Sequence, residues 1–259
     1  MEFRIDSASA TTWGQRKIAL GMTSTSALSL PDASSEKSSL RTVDLRGTAG
    51  RLEALLNEGA PDSQFSGLVC HPHPLGGGTM HNKVVYHAMK VLNAPEWGLR
   101  WPVLRFNFRG TGLSEGLHDG LAEAADVGAA IDWLIAQYKL PVILVGFSFG
   151  AAMAIAASCG TASQTKTHSN LRALATLGLP TQGFGQTYKY PVLATCTLPK
   201  LFLSGDGDTF APKQDLQQVV DTAADPKHLV LISGADHFFK GRLEAMQKAL
   251  AVWLKEQVQ

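Results

Sequence analysis

The chain has 259 residues, 45% of them hydrophobic and 17% charged, which suits one large α/β domain or two small ones, is ample for a single core, and excludes disorder over most of its length. Lys+Arg number 23 against Asp+Glu 22, a net charge of +1. That balance supplies no basic field to recruit nucleic acid or an anionic membrane surface.

Residues 1–20 have no apolar core followed by a small-residue cleavage site, so no secretory signal is read there. Residues 21–42 carry Ser or Thr at ten of 22 positions. Such a segment buries too little surface to offset its ordering entropy, so residues 1–40 are expected to form a flexible leader ahead of a single domain at 41–259. Met22 would serve as a start, with residues 1–21 as an upstream extension; Glu2, Asp6, Asp32 and Glu36 weigh against a transit peptide.

The segments 42–46 and 51–56 predict a leading hairpin. Strands are then predicted at 67–71, 102–107, 142–146, 173–178, 201–204 and 228–233. Most are continuous apolar runs, as strands buried on both faces of a parallel sheet should be. Helical patterns fall between them at 82–92, 121–137, 148–158, 213–222 and 240–258. This alternation implies βαβ units and a doubly wound sheet. No run of ~18 apolar residues exists to cross a membrane. Cys70, Cys159 and Cys196 form no CxxC pair and read as three reduced thiols in or near the core. A cytoplasmic location is the expectation.

Chemistry concentrates at Gly146-Phe147-Ser148-Phe149-Gly150, a G-x-S-x-G between an apolar strand and the helical run that follows. The glycines permit a sharp strand-to-helix reversal that presents the serine hydroxyl above the sheet. A serine needs a base, and the base needs an orienting acid. In a strand-turn-helix site of this type the order is Ser, then Asp or Glu, then His, each after a later strand. Gly205-Asp206-Gly207-Asp208 supplies the acid and Gly234-Ala235-Asp236-His237 the base. Asp208 is preferred to Asp206, which sits in the tight turn at 205–207; Asp236 reads as a loop or capping residue.

After the first buried strand comes His71-Pro72-His73-Pro74-Leu75-Gly76-Gly77-Gly78. An oxyanion hole would draw one N–H from Phe149 and another from this loop. Pro72 and Pro74 have none to give, leaving His73, Leu75 or Gly76, with His73 preferred. His71-x-His73 lacks an acidic partner for a metal site, and the glycines match neither a phosphate loop nor a dinucleotide fingerprint. No metal or cofactor is expected.

The stretches HPHPLGGGTMHNKVV (71–85), LRFNFRGTGLSEG (104–116), GFSFGAAMA (146–154) and GADHFFKGRL (234–243) together resemble the α/β-hydrolase superfamily, and within it small, cap-less, dienelactone-hydrolase-like bacterial members. The resemblance spans roughly residues 40–258. It implies a mostly parallel eight-stranded sheet with helices on both faces, and hydrolysis through a Ser148–His237–Asp208 triad. Arg109-Gly110 matches a loop that is structural in the superfamily. Dienelactone hydrolases proper carry cysteine where this chain has Ser148.

The 178–201 stretch is too short for a multi-helix lid, which disfavours long-chain lipid substrates. Leu75 and Phe210, with Phe184, Tyr188 and Tyr190, are expected to edge a pocket for small, soluble, short-acyl esters. A peptidase or amidase, an acyltransferase, and a non-catalytic hydrolase-fold binding protein are the competing readings. The motifs leave the oligomeric state open.

Overall fold

The computed structural model describes residues 39–160 and 170–257. The expected leader therefore lies outside the described residues, apart from Ser39 and Leu40. The chain opens with an antiparallel hairpin, β1 (Leu40–Gly47) and β2 (Gly50–Asn57). β3 (Ser66–Cys70), β4 (Val103–Phe106), β5 (Val142–Phe147), β6 (Leu171–Leu177), β9 (Lys200–Gly205) and β10 (Lys227–Ile232) follow. The sheet order is β1-β2-β4-β3-β5-β6-β9-β10, parallel throughout except where β2 meets β1 and β4. It is the mostly parallel eight-stranded sheet that the family resemblance implies.

Helices α1 (Lys83–Asn93) and α5 (Leu243–Gln257) cover one face. Helices α2 (Glu123–Tyr138), α3 (Phe149–Cys159) and α4 (Lys213–Thr222) cover the other. β5 shows why its sequence runs apolar without alternation. Val142 and Leu144 point into the α2–α3 side, while Ile143, Val145 and Phe147 point into the α1–α5 side, and all five are fully buried. α5 starts three residues later than the pattern at 240–258 predicts, because Gly241 takes a positive φ of 70°. The segment between β6 and β9 holds only a tiny hairpin, β7 (Gln182–Gly183) and β8 (Gln186–Thr187), and one 3-10 turn at Pro191–Ala194. Among the described residues no large lid stands over this end of the sheet.

The expectation of three reduced thiols is corrected. Cys159 and Cys196 are joined in a disulfide, and only Cys70 is free, buried in β3. Thirty-seven residues separate the pair in sequence, but the end of α3 and the turn before β9 bring their Cα atoms to 5.2 Å, within bonding range. Among the described residues no helix is long and apolar enough to cross a membrane.

Candidate active site

The carboxyl ends of β3, β5, β6, β9 and β10 bring the sequence-predicted residues together. Ser148 stands between β5 and α3 with φ 54° and ψ −122°, a positive-φ conformation that serine adopts only under constraint. The constraint comes from its flanking glycines. A Cβ on Gly146 would lie 2.5 Å from the Cα of Ala151, and one on Gly150 would lie 2.5 Å from the carbonyl oxygen of His71. Any side chain at either position would push the turn off the strand ends. The Ser148 N–H donates to Leu177 O at 2.9 Å, tying the turn to β6.

His237, on the loop after β10, places Nε2 2.9 Å from Ser148 Oγ and Nδ1 2.8 Å from Asp208 Oδ2. With Nδ1–H donated to the carboxylate, Nε2 accepts the serine hydroxyl. All three residues are buried. Asp208 is heavily tethered: Ser204 Oγ–H donates to Oδ2 at 3.0 Å, and the Phe210 and Ala211 N–H groups donate to Oδ1 at 2.8 and 3.0 Å. Burial pushes its carboxyl upward, but the His237 imidazole, Ser204 and the Ala211 N–H outweigh that, and its pKa lies below the ordinary aspartate value.

The competing acids go elsewhere. Asp206 Oδ1 accepts the Gly234 N–H at 2.8 Å and so braces two loops. Asp236 Oδ1 accepts the N–H groups of Phe238 and Lys240 at 3.1 and 2.9 Å, a capping role.

On the loop after β3, the N–H of Leu75 donates to His73 Nδ1 at 3.2 Å and that of Gly76 to His73 O at 3.0 Å. Both are thereby occupied. Of the three candidates for a second oxyanion donor, only His73 keeps an N–H without a protein partner among the described residues. The His73 ring packs 4.7 Å from that of Phe149, whose own N–H opens α3. His71 is held by protein on both ring nitrogens: Nδ1–H donates to Pro72 O at 2.7 Å and Nε2 accepts the Phe108 N–H at 2.9 Å. Burial lowers the pKa of each histidine to about 4, with the nearby His118 adding to the effect at both and the Pro72 carbonyl opposing it at His71. Both rings are neutral at pH 7.

Leu75 is 74% exposed at the rim, while the Phe210 ring lies 4.6 Å from that of His237. Tyr188 and Tyr190 do not edge this site. They line a separate cavity of about 650 Å³ with Gln218 and Val219 of α4, on a wall that includes none of Ser148, His237 and Asp208. Their place beyond the β7–β8 hairpin turns them away from the nucleophile.

Sequence reasoning missed two contributors. Ser204 looked like an ordinary strand residue, although its place at the end of β9, four residues before Asp208, puts it within reach of the carboxylate. The other is a pair, His118 and Glu123, with Nδ1 2.6 Å from Oε1. Its signal was a histidine five residues before a glutamate at a helix start.

An open, lidless α/β fold carrying a serine, a histidine and a carboxylate in hydrogen-bonded line defines a hydrolase-type protein. A family model described as an alpha/beta hydrolase domain matches residues 76–256, and the chain belongs to that family. An uncharacterized protein of Rickettsia prowazekii (strain Madrid E) is 34% identical over 222 residues, covering 82% of this chain and 87% of that protein. An alpha-beta serine hydrolase homologue from Coxiella burnetii is 32% identical, covers 83% of this chain and 97% of its own, and superposes with a TM-score of 0.69. An α/β serine hydrolase without lid from Xanthomonas campestris is 28% identical over 84% of this chain and 94% of its own, with a TM-score of 0.68. These neighbours support hydrolase activity in a cap-less protein.

Proposed function

We propose that the protein is a carboxylesterase-type serine hydrolase (EC 3.1.1.-) that cleaves small, short-acyl esters through an acyl-enzyme. The observation that carries this reading is the line Ser148 Oγ–His237 Nε2 at 2.9 Å and His237 Nδ1–Asp208 Oδ2 at 2.8 Å, with Ser148 held at positive φ. His237 takes the hydroxyl proton as Ser148 attacks the ester carbonyl, and the developing oxyanion is met by the N–H groups of Phe149 and His73. The imidazolium then protonates the leaving alkoxide. Water, deprotonated by the same imidazole, attacks the acyl-serine; the C–Oγ bond breaks to release the acid, and the imidazolium returns its proton to Ser148 Oγ. Asp208 keeps the ring in the productive tautomer. These steps draw only on protein groups and water.

The short-acyl preference rests on the absence of a large lid between β6 and β9. The same residues could serve an amidase or an acyltransferase, so turnover of an ester against its anilide, and of an ester with added alcohol, separates these readings. A fluorophosphonate probe tests the nucleophile: wild-type protein should be labelled on Ser148 and the Ser148→Ala variant left unlabelled. Labelling of both at equal rate contradicts the assignment. As to its compartment, the sequence-based expectation is the cytoplasm, whereas the Cys159–Cys196 bond favours a less reducing one. Acid-quenched thiol labelling of protein from cells decides, with two blocked cysteines excluding a reducing cytoplasm.

A further inference from the structure

Phe184 carries a backbone conformation that its side chain does not favour and gains little burial in return. It is the first residue of the two-residue turn between β7 and β8, where Gln182 pairs with Thr187 and Gly183 with Gln186. Phe184 and Gly185 take φ of 50° and 77°, the pattern of a type I′ turn, which normally selects Asn-Gly. A bulky residue at positive φ is an outlier that calls for a reason. Core packing does not supply it, because Phe184 is 51% exposed.

The ring's neighbours supply it. Phe184 stacks on His73 with centroids 4.1 Å apart and planes 34° apart. Its Cζ lies 3.0 Å from where a Cβ on Gly76 would stand, so the bare backbone of the loop after β3 makes room for it. Phe184 also neighbours Phe210, with centroids 6.5 Å and planes 32° apart, and Phe210 in turn stacks on His237 at 4.6 Å. Phe210 is fixed from below: its N–H donates to Asp208 and its carbonyl accepts the N–H groups of Thr181 and Gln182. His73, Phe184, Phe210 and His237 thus form an arc of flat rings from the oxyanion loop to the imidazole facing Ser148.

We propose that Phe184 is a specificity-determining residue and that the preferred substrates are short-acyl esters of alcohols bearing a flat aromatic group, which lies against this arc. The proposal rests on the esterase reading above and deepens it. With a short acyl group, the bulk of the substrate is its alcohol, and an aromatic ring is the shape that gains most from tilted stacking on other rings.

Benzyl acetate and cyclohexylmethyl acetate test it, since they differ in the flatness of one ring while the reacting ester is the same. Wild-type enzyme should favour the benzyl ester about 2- to 12-fold in kcat/KM, the range of a single aromatic pair. Phe184→Asn should remove that preference while leaving Tm equal or higher, because Asn suits the turn. A merely structural phenylalanine would instead lower Tm and slow both esters alike. Binding of the same two esters to the Ser148→Ala variant, followed by NMR titration, reads the arc without turnover. Tighter binding of the benzyl ester that disappears in the Ser148→Ala, Phe184→Asn double variant supports the arc even if the wild type hydrolyses neither ester, a result that would sink the esterase reading alone. Equal binding of both esters, or a preference unchanged by Phe184→Asn, overturns the proposal.

Discussion

Glu123 has no exposed surface, and its Oε1 lies 2.6 Å from Nδ1 of His118, forming a second imidazole–carboxylate pair beside the proposed catalytic one. The His118 ring stands edge-on to His73 at 4.9 Å and to Phe149 at 5.5 Å, the two residues offered above as oxyanion donors. Glu123 also accepts the Asp119 N–H at 3.0 Å, so it anchors the loop after β4 as well as the ring. Loss of the pair should loosen the donors rather than the substrate pocket. His118→Ala should lower kcat on the order of 10- to 100-fold with KM little changed, by the sensitivity of chemistry to small misplacements. Steady-state kinetics on a short-acyl ester check this, and an unchanged kcat would refute it.

The roles of the two acids in the loop after β9 are separable. Asp208→Asn should cost on the order of 10⁴ in kcat, by analogy with the serine-protease example, because the imidazole loses its orienting acceptor. Asp206→Asn should cost far less, since the Asp206 carboxylate accepts the Gly234 N–H rather than the imidazole. The ratio of the two kcat values is the readout, and a larger loss at Asp206 would reverse the assignment.

Most of the architecture was legible in the sequence because its strands are buried on both faces. Runs such as Val142–Phe147, and the helical rhythm of Val127, Ala130, Ile131 and Leu134, carry a strong signal. The positions of Ser148, Asp208 and His237 were legible because a strand-turn-helix motif dictates which later loops must supply partners, and the structure brings these three within hydrogen-bond distance. What stayed hidden depends on contacts between distant segments. Cys159 meets Cys196 only through the packing of α3 against the turn before β9. Tyr188 and Tyr190 look like pocket residues until the β7–β8 hairpin is seen to turn them toward α4. His118 and Glu123 belong to no motif.

Arg109 was expected to be structural, and its contacts agree. Its Nη2 lies 2.6 Å and its Nε 3.0 Å from the carboxylate oxygens of Asp126, which is completely buried. Removing the guanidinium takes away the counter-charge of the buried carboxylate, although the backbone N–H of residue 109 still donates to Oδ2 at 3.0 Å. Arg109→Ala should therefore destabilise the fold by about 3–5 kcal/mol while activity per folded molecule changes little. Urea unfolding checks this, and a loss below about 1 kcal/mol would contradict the buried-pair account.

Mild acid should destabilise the protein through two histidines. His71 and His73 have folded pKa values of about 4 against an ordinary 6.5. Between those values the unfolded chain binds more protons than the folded one, so stability rises with pH across the window and is lost as pH falls from about 6.5 towards 4. Fully buried His71 alone accounts for roughly 3 kcal/mol over that span. Urea midpoints at pH 7 and pH 5 should differ accordingly. His71→Gln, which keeps an acceptor for the Phe108 N–H, should flatten the slope.

The most direct test of the central claim is hydrolysis of p-nitrophenyl esters from acetate to palmitate by wild-type protein and by Ser148→Ala. The account predicts turnover that peaks at two to four acyl carbons and vanishes in the variant, whose fold is intact. Undiminished turnover by Ser148→Ala, or no turnover of any ester by correctly folded wild-type protein, would contradict it.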